Sequence, residues 1–370
     1  MNKLISALIL SSLSIVALSG CAPVQSDLTI AVTHSGKGCE LSQTEFPAGV
    51  VTFAVENLGD QTAEFYVLRS DGNTILSELE NIGPGTVRTL TLQLVEGNYI
   101  YSCEQMDGDK VVQGKLKALP SEGTVSVSSS EQAAINAYLE YVAEQGVLLQ
   151  EGTEQFATAI NNGDVAKAKD LYPTTRVYWE RIEPIAESFG DLDPIMDARE
   201  GDLEPGVKWT GWHALEKQLW ITGLNADAGL LADQLVDNTE DLISRIQDIR
   251  PTLAEISNGA KALLDEIATG KITGEEERYS RTDLWDFAAN LEGAEKVFEV
   301  SIPILKTKDS ALLETLKTEF SALWKELNKY RKGAGYVLYN ELDSTQVKTL
   351  ATKVEALSEP LSKMTAALVK

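Results

Sequence analysis

Hydrophobic and polar residues alternate in a series of short runs over residues 27–119 of the chain. The runs that follow this period of two most clearly are 28–33, 50–56, 63–68, 87–94, 97–101 and 111–116. Turn-forming sequences rich in Gly, Asn and Asp separate them. A period of two predicts strands that bury one face, and about ninety residues are enough for one small β-sandwich.

The pattern changes after a polar segment, 120–130, whose Ser, Gly and Pro content is typical of a linker. Over residues 131–370, hydrophobic residues recur at intervals of three and four, as in Leu312, Leu313, Leu316 and Phe320. This spacing predicts amphipathic helices, which we expect to fold back on one another as an all-α bundle. The predicted helices are 131–161, 164–189, 212–219, 226–243, 249–267, 282–302, 309–330 and 344–368.

Residues 1–20 have the character of a lipoprotein signal peptide. Lys3 is followed by an apolar run, 4–18, that is too short for an ordinary membrane-spanning helix. The run ends in Leu18-Ser19-Gly20-Cys21, which resembles a bacterial lipobox, so we expect Cys21 to be the lipidated first residue of the mature chain. These features predict a periplasmic protein that is attached to the membrane by its lipid anchor only.

The net charge of the chain limits the kinds of molecule that it can bind. The chain has 56 Asp and Glu residues against 32 Lys and Arg, which gives a formal net charge of −24. Nucleic-acid binding requires a basic surface and is therefore disfavoured. A strongly acidic protein is better suited to cations or to a basic partner surface.

The most informative stretch for chemistry is Trp209–Trp220, which contains His213, one of only two histidines in the chain. Glu216 follows three positions later, so on a helix its carboxylate and the imidazole lie on the same face. This pair is half of a metal site. The alternative is a core histidine that pairs with a neighbouring carboxylate, because so short a motif is only a hypothesis.

Further ligands for such a site lie elsewhere in the helical part. Glu180, Glu183 and Glu187 fall along one stripe of the predicted helix 164–189, and Asp197 lies in an acidic loop between helices, with Arg176 available to orient its carboxylate. One imidazole with several carboxylates suits Fe, Mn, Mg or Ca better than Cu and could accept Zn. The alternative for the stripe is an ordinary solvated face.

The β part resembles a cupredoxin. The similar features are Pro47-Ala48-Gly49 before a Val-Thr-Phe-Ala-Val strand and the late Gly97-Asn98-Tyr99-Ile100-Tyr101-Ser102-Cys103 sequence. In that family the hairpin that carries this cysteine brings it to the metal end of the sandwich. A blue-copper centre needs two histidines beside the cysteine. This domain has one, His34, in a turn-like sequence that predicts a surface position.

The groups available at that end predict a mixed sulfur and carboxylate site instead. Cys39, Glu64, Cys103 and Glu104 could hold a second metal, either Cu, Zn or Fe. A Cys39–Cys103 disulfide is the alternative, because an exported compartment permits one. The sequence leaves both open.

The helical part resembles the imelysin family, which has a Gly-x-His-x-x-Glu motif, here Gly211 to Glu216. Other similar stretches are 183–194, 197–200, 283–287 and 330–331. A cupredoxin-like β-sandwich followed by an imelysin-like helical bundle resembles the EfeO family of bacterial iron-uptake components. The resemblance implies that the protein captures iron, as Fe²⁺ or Fe³⁺, outside the cytoplasmic membrane. It also implies delivery to an iron permease that works with a haem peroxidase.

On this interpretation the protein is not an enzyme and has no catalytic residues, and His213, Glu216, Asp197, Glu180 and Glu183 are metal ligands. Two alternatives remain. One is an imelysin-type metallopeptidase, although a zinc peptidase of the His-Glu-x-x-His type needs a second histidine. The other is a module that binds a polysaccharide or a partner protein.

Overall fold

The computed structural model describes residues 28–35, 38–105, 111–121, 127–203 and 206–370. The N-terminal part of this range is built from strands. In chain order they are β1 (Leu28–His34), β2 (Cys39–Leu41), β3 (Glu45–Pro47), β4 (Gly49–Asn57), β5 (Ala63–Arg69), β6 (Ile75–Ile82), β7 (Val87–Leu94), β8 (Gly97–Gln105) and β9 (Val112–Leu119). The alternating runs correspond to β1, β4, β5, β7, β8 and β9, whereas β2, β3 and β6 are additional to the prediction.

These strands form a sandwich of two sheets. One sheet has the order β2-β1-β4-β7 and the other β3-β9-β8-β5-β6. Neighbouring strands are antiparallel except for β1 with β4 and β3 with β9, which are parallel. Phe46, Phe53 and Phe65 meet at the centre of the core between the sheets. The N-terminal half of the predicted fold class is therefore confirmed.

A disulfide between Cys39 in β2 and Cys103 in β8 joins the two sheets. This is the second of the two alternatives that the sequence left open. His34, at the end of β1, is 2% exposed, so its predicted surface position is wrong. His34 continues the strand β1 and lies on the same inward face as Ile30 and Val32, because residues two apart on a strand point to one side.

The rest of the described chain is mainly helical. The helices are α1 (Ser129–Asn161), α2 (Val165–Glu180), α3 (Leu192–Asp197), α4 (Gly211–Lys217), α5 (Ala228–Asp248), α6 (Leu253–Thr269), α7 (Asp283–Lys308), α8 (Ser310–Leu327), α9 (Ser344–Leu361) and α10 (Met364–Val369). Their apolar faces enclose a single large core. The predicted helical bundle is confirmed, and α3 forms inside a segment that was expected to be non-helical.

The predicted helix 164–189 is divided in the structure. Helix α2 ends at Glu180, and a short 3₁₀ helix, Glu183–Phe189, follows with Pro184 in its first turn. Proline suits the first turn of a helix, where its missing N–H would have no partner and its fixed φ is favourable, so Pro184 favours a new helix that begins there. Glu180, Glu183 and Glu187 therefore do not share one helical face.

Helix α6 joins the two domains, because it packs against β6 and β7 as well as against the other helices. Arg88 of β7 forms an ion pair with Asp265, and the Asn258 side-chain amide donates to the carbonyl oxygen of Thr91 over 2.9 Å. These contacts, half-buried or deeper, fix the β-sandwich against the helical domain.

No helix within the described ranges is both long and apolar enough to cross a membrane. The predicted signal peptide, 1–20, and the predicted lipidation site at Cys21 lie outside the described residues. Part of the predicted linker, at 122–126, also lies outside them, and α1 begins inside its last residues, at Ser129, with a capping box between Ser128 and Glu131.

Candidate metal centre

Helix α4 carries both motif residues, and its first residue explains the glycine of the motif. Gly211 has a φ of +79°, and a Cβ there would lie 2.1 Å from the carbonyl oxygen of Met196. Only glycine adopts this conformation and this close approach readily. Trp212 is then buried against aromatic rings of α1 and α2. The start of the helix is thereby fixed, and His213 and Glu216 project from one side of it.

The imidazole of His213 lies inside the helical domain and is 2% exposed. Its Nδ1 is 3.4 Å from Glu216 Oε2. Its Nε2 is 3.4 Å from Asp197 Oδ1 and 3.8 Å from Glu276 Oε1. This Nε2 makes no hydrogen bond with any residue that the structure describes. Buried polar atoms are nearly always hydrogen-bonded, so a nitrogen that points at two carboxylates without a bond suits a metal ion.

Glu216 has both carboxylate oxygens engaged. Oε1 accepts the backbone N–H groups of Tyr279 and Ser280 over 2.8 and 2.6 Å, and Oε2 faces His213. Burial alone would raise the pKa of Glu216, but the contact with His213 and the two N–H bonds hold it below its usual value. An ionised carboxylate at Nδ1 selects the tautomer that leaves Nε2 free, as carboxylate–histidine pairs do beside many metals.

Arg176 in α2 orients Asp197, as the sequence predicts. Its guanidinium group is fully buried and forms close ion pairs with Asp197 and Glu180, and its Nε is 2.7 Å from Glu277 Oε1. Trp179 Nε1 donates to Asp197 Oδ2 over 2.8 Å. Burial raises the pKa of Asp197, but the Arg176 charge outweighs it and holds that carboxyl ionised. Oδ1, which accepts from Arg176 Nη1, also faces His213 Nε2.

Glu276 and Glu277 are the site residues that the sequence interpretation missed. They lie in the loop before α7 and are 4% and 0% exposed. Glu277 accepts from Ser280 Oγ over 2.8 Å, whereas Glu276 Oε1 faces the free nitrogen of His213. The available signal was an acidic triplet, Glu275 to Glu277, but nothing in its spacing connects it to α4.

Two sets of side chains have ligand atoms that all lie within 4.8 Å of one another: Asp197, His213 and Glu276, and His213, Glu216 and Glu277. Two atoms bound at about 2.1 Å to one ion, at octahedral or tetrahedral angles, are about 3.0–3.4 Å apart. The separations of 3.4 and 3.8 Å around Nε2 are close to these values. The first set is the better candidate, because it gathers around Nε2, the ring nitrogen that has no hydrogen bond from the described residues.

Two predicted ligands, Glu180 and Glu183, belong to neither set. Lys271 Nζ is 2.7 Å from Glu183 Oε1 and 3.2 Å from Glu180 Oε2, and Asn290 donates to Glu180 Oε2 over 2.8 Å. Lys271 is itself 3% exposed. In the structure these carboxylates balance a buried lysine, and Glu276 Oε1 lies 3.8 Å from His213 Nε2.

Acidic groups outnumber basic ones in this interior. Burial and the Arg176 charge lower the pKa of His213, but the surrounding carboxylates outweigh both and raise it to about 10. The imidazole is then protonated at neutral pH until a metal takes the place of its Nε2 proton. Burial and the neighbouring Glu277 charge also raise the pKa of Asp286 well above its usual value. Neither oxygen of Asp286 has a hydrogen bond from the described chain.

The centre borders a cavity of about 760 Å³ between the two domains. Asp197, Glu183 and Glu276 line its inner end. Its other acidic lining residues are Glu64, Glu78, Glu80, Glu187, Asp193, Asp202, Glu255, Glu266 and Glu275. Arg199 is the one basic residue among the described lining residues, and it donates to Glu276 Oε2 over 3.1 Å.

The structure does not form the predicted second metal site in the β-sandwich. Cys39 and Cys103 are joined as a disulfide, and a disulfide has no thiolate to offer a metal. Glu104 instead accepts from Ser102 Oγ over 3.1 Å. Glu64 accepts from the Tyr66 hydroxyl and lines the cavity between the domains.

Comparison with known proteins agrees with the fold. The imelysin family model matches residues 134–364, and the model of a cupredoxin-like domain matches residues 8–118. The chain is thus an imelysin-family protein with a cupredoxin-like N-terminal domain. Among solved structures, the copper-containing nitrite reductase of Thermus scotoductus is 16% identical over 26% of this chain and 28% of its own, with a TM-score of 0.18. A TM-score this low supports no conclusion about fold or function.

Relatives over the whole length define the family more closely. The chain is 36% identical over 370 residues to the iron uptake system component EfeO of Yersinia pestis, with 96% of this chain and 94% of that protein covered. It is also 36% identical over 341 residues to the iron uptake system component EfeO of Escherichia coli O157:H7, with 90% of each covered. The chain belongs to the EfeO family.

Proposed function

We propose that the protein binds iron outside the cytoplasmic membrane as a component of an uptake system, and that His213 Nε2, Asp197 and Glu276 hold the ion. One observation carries the proposal: His213 Nε2 is buried, makes no hydrogen bond with the described residues and faces two carboxylates. A ligand set of one imidazole and two carboxylates is suitable for iron. The iron-uptake names of the full-length relatives support this choice of metal.

Two further charged residues orient the ligands and do not bind the ion themselves in this proposal. Glu216 holds the imidazole by Nδ1, and Arg176 holds Asp197. Both are positioning residues, because each acts on the metal through another side chain. Glu277 stays available as a further ligand if the ion sits closer to Nδ1, since it belongs to the second set.

The bound iron is cargo on this view, which the protein passes to a membrane permease that works beside a haem peroxidase. The predicted lipid anchor at Cys21 would hold the protein near that permease. The relatives are named as components of an uptake system, which supports the existence of partners. A second metal in the cupredoxin-like domain is not part of the proposal, because the structure pairs its cysteines.

No specific observation favours a peptidase. A zinc peptidase of the His-Glu-x-x-His type uses two histidines, and the helical domain has only His213. The one other histidine, His34, lies in the β-sandwich. We therefore propose binding and transfer of iron without catalysis.

The test is anaerobic titration of the metal-free protein with Fe²⁺, and aerobic titration with a chelated Fe³⁺ donor, followed by calorimetry. The variants are His213→Ala and the double variant Asp197→Asn/Glu276→Gln. Glu292→Gln serves as the control, because it removes one carboxylate of the same domain that does not line the cavity. We expect stoichiometric binding by the wild type and the control, and at least a hundredfold loss of affinity in both site variants. Equal binding by all four proteins would refute the proposal.

A further inference from the structure

The cavity between the domains has walls from both of them. β6, at the edge of its sheet, contributes Glu78 and Glu80. The helical domain contributes Glu187 from the 3₁₀ helix and Glu266 from α6. Nothing in the described chain donates a hydrogen bond to the side chain of Glu78 or of Glu187. The β-sandwich therefore supplies unpaired carboxylates to a space that leads to a centre in the other domain.

These carboxylates repel each other across the domain boundary. Burial raises the pKa of Glu78 well above its usual value, and the charges of Glu187, Glu80 and Glu266 raise it further. Burial and Glu266 likewise raise the pKa of Glu187 to about 7. Like charges crowded in a region of reduced dielectric are unfavourable, so these carboxyl groups keep part of their protons in the metal-free protein. A cation that enters the cavity can take the place of those protons, because it balances the charge of the ionised carboxylates.

The cavity also has an unpartnered group at its inner end. His213 Nε2 is buried and without a hydrogen bond, and it is aimed at Asp197 and Glu276, both of which line the cavity. A cation that crosses the cavity arrives directly at these two carboxylates. Arg199 also lines the cavity and donates to Glu276 Oε2, which leaves Oε1 directed at His213.

We infer that iron reaches and leaves the His213 centre through the cavity between the two domains, and that Glu78 and Glu80 of the β-sandwich attract the cation into it. The inference rests on the proposed iron binding at His213 and assigns the cupredoxin-like domain a part in it. The cupredoxin-like domain forms one wall of the access route, and this role does not require the β-sandwich to bind a metal itself. A concentration of negative charge along a narrow route raises the rate of cation binding by about 10- to 1,000-fold in general.

Two kinds of variant separate a route from a general charge effect. Glu78→Gln/Glu80→Gln removes two ionisable carboxyl groups from the wall, and the control Glu45→Gln/Glu56→Gln removes two from exposed positions of the same domain that do not line the cavity. Ala262→Trp adds bulk at a lining position of α6. An obstruction on a route slows arrival and departure by the same factor, so it leaves the dissociation constant unchanged.

The experiment is anaerobic stopped-flow mixing of full-length metal-free protein with Fe²⁺ at low and high salt, read by tryptophan fluorescence, since Trp179 donates to Asp197. Departure is measured with excess chelator. We expect Glu78→Gln/Glu80→Gln to bind about tenfold more slowly at low salt, with a weaker salt dependence, and the control to match the wild type. We expect Ala262→Trp to slow both rates several-fold at constant affinity, and Ser188→Phe, at another lining position, to act in the same way if the first variant folds poorly.

The experiment distinguishes a wrong route from a wrong metal centre. If the wild type binds Fe²⁺ and His213→Ala abolishes binding, but the wall and obstruction variants keep wild-type rates, the route is wrong and the centre stands. If His213→Ala binds as the wild type does, the centre is wrong and the route falls with it.

Discussion

Arg176 gives the sharpest test of how the centre is held together. Its guanidinium group is 0% exposed and pairs with Asp197, Glu180 and Glu277. Arg176→Met keeps much of the side-chain volume and removes the charge, which leaves these buried carboxylates without their main counter-ion. Loss of one partner from a buried ion pair costs about 3–5 kcal/mol of unfolding free energy. For a domain of this size that corresponds to a fall in Tm on the order of 10 °C.

Denaturant unfolding in the presence of a chelator measures this effect in the helical domain alone. The chain has six tryptophans, and each lies in the helical domain: Trp179, Trp209, Trp212, Trp220, Trp285 and Trp324. The matched control is Arg181→Met, because Arg181 pairs with Glu292 over 2.6 Å but is 24% exposed. Such a pair contributes about 1 kcal/mol or less.

A result in which the two arginine variants lose the same small amount of stability would refute this reasoning. The carboxylates around Arg176 would then be neutral in the metal-free protein, and the guanidinium group would be of little importance to them. The same variant also tests the site. Since Asp197 would lose its orientation, we expect the affinity for Fe²⁺ to fall about 10- to 100-fold, the range for residues that orient a ligand.

Three further predictions concern other parts of the molecule. Burial and neighbouring carboxylates raise the pKa of Glu80 and of Glu187 from 4.5 to about 7. The free energy of unfolding that each protonated group contributes is therefore complete below pH ~4.5 and is lost as the pH rises through ~7, by up to ~3 kcal/mol for one group. Metal-free protein should therefore unfold more readily at pH 7.5 than at pH 5.5, and Glu80→Gln/Glu187→Gln should weaken this dependence. Reduction of Cys39–Cys103, which are 64 residues apart, should destabilise the β-sandwich by ~4 kcal/mol. Gly211→Ala should cost about 3 kcal/mol or more, because a Cβ overlaps a carbonyl oxygen at a positive φ.

Each of these has a clear contrary outcome. Thermal unfolding across pH with chelator present tests the first, and an identical pH profile in the double variant would contradict it. Circular dichroism of the β-sandwich with and without reductant tests the second, with a Cys39→Ser/Cys103→Ser variant as the reference, and unchanged unfolding would contradict it. For the third, Gly163→Ala is the control, because its φ is also positive but nothing lies within 4 Å of an added Cβ; equal losses would show that strain alone, and not the close approach, sets the cost.

The sequence predicts the local half of the centre and misses the distant half, for a physical reason. His213 and Glu216 are three positions apart, and helix geometry alone sets them on one face. Glu276 reaches the imidazole only because the loop before α7 folds over α4, and no periodic pattern records that contact. Glu180 and Glu183 are predicted as ligands because their spacing puts them on one helical stripe, and Lys271, which pairs with both, is likewise distant in sequence.

Strand β6 is one of the strands that the sequence pattern did not predict. Its neighbours were predicted from regular alternation, whereas β6 carries Glu78 and Glu80 in a segment that is partly covered by the helical domain. The pairing of β6 with β5 has two register shifts, at each of which β6 has one extra residue, and these bulges interrupt the period of two on which the prediction depends. The segment that escapes recognition is therefore the one that the proposed route uses.

The construction of the cavity from two domains has a consequence for assembly. The carboxylates of Glu78 and Glu80 are hydrated while the β-sandwich folds by itself, and so is that of Glu187 while the helices form. They become crowded only when α6 docks against β6 and β7. Docking is thus the step of folding that carries the electrostatic penalty, and it is the step at which a bound cation contributes most. Iron would then act on the maturation of the protein in addition to being its cargo.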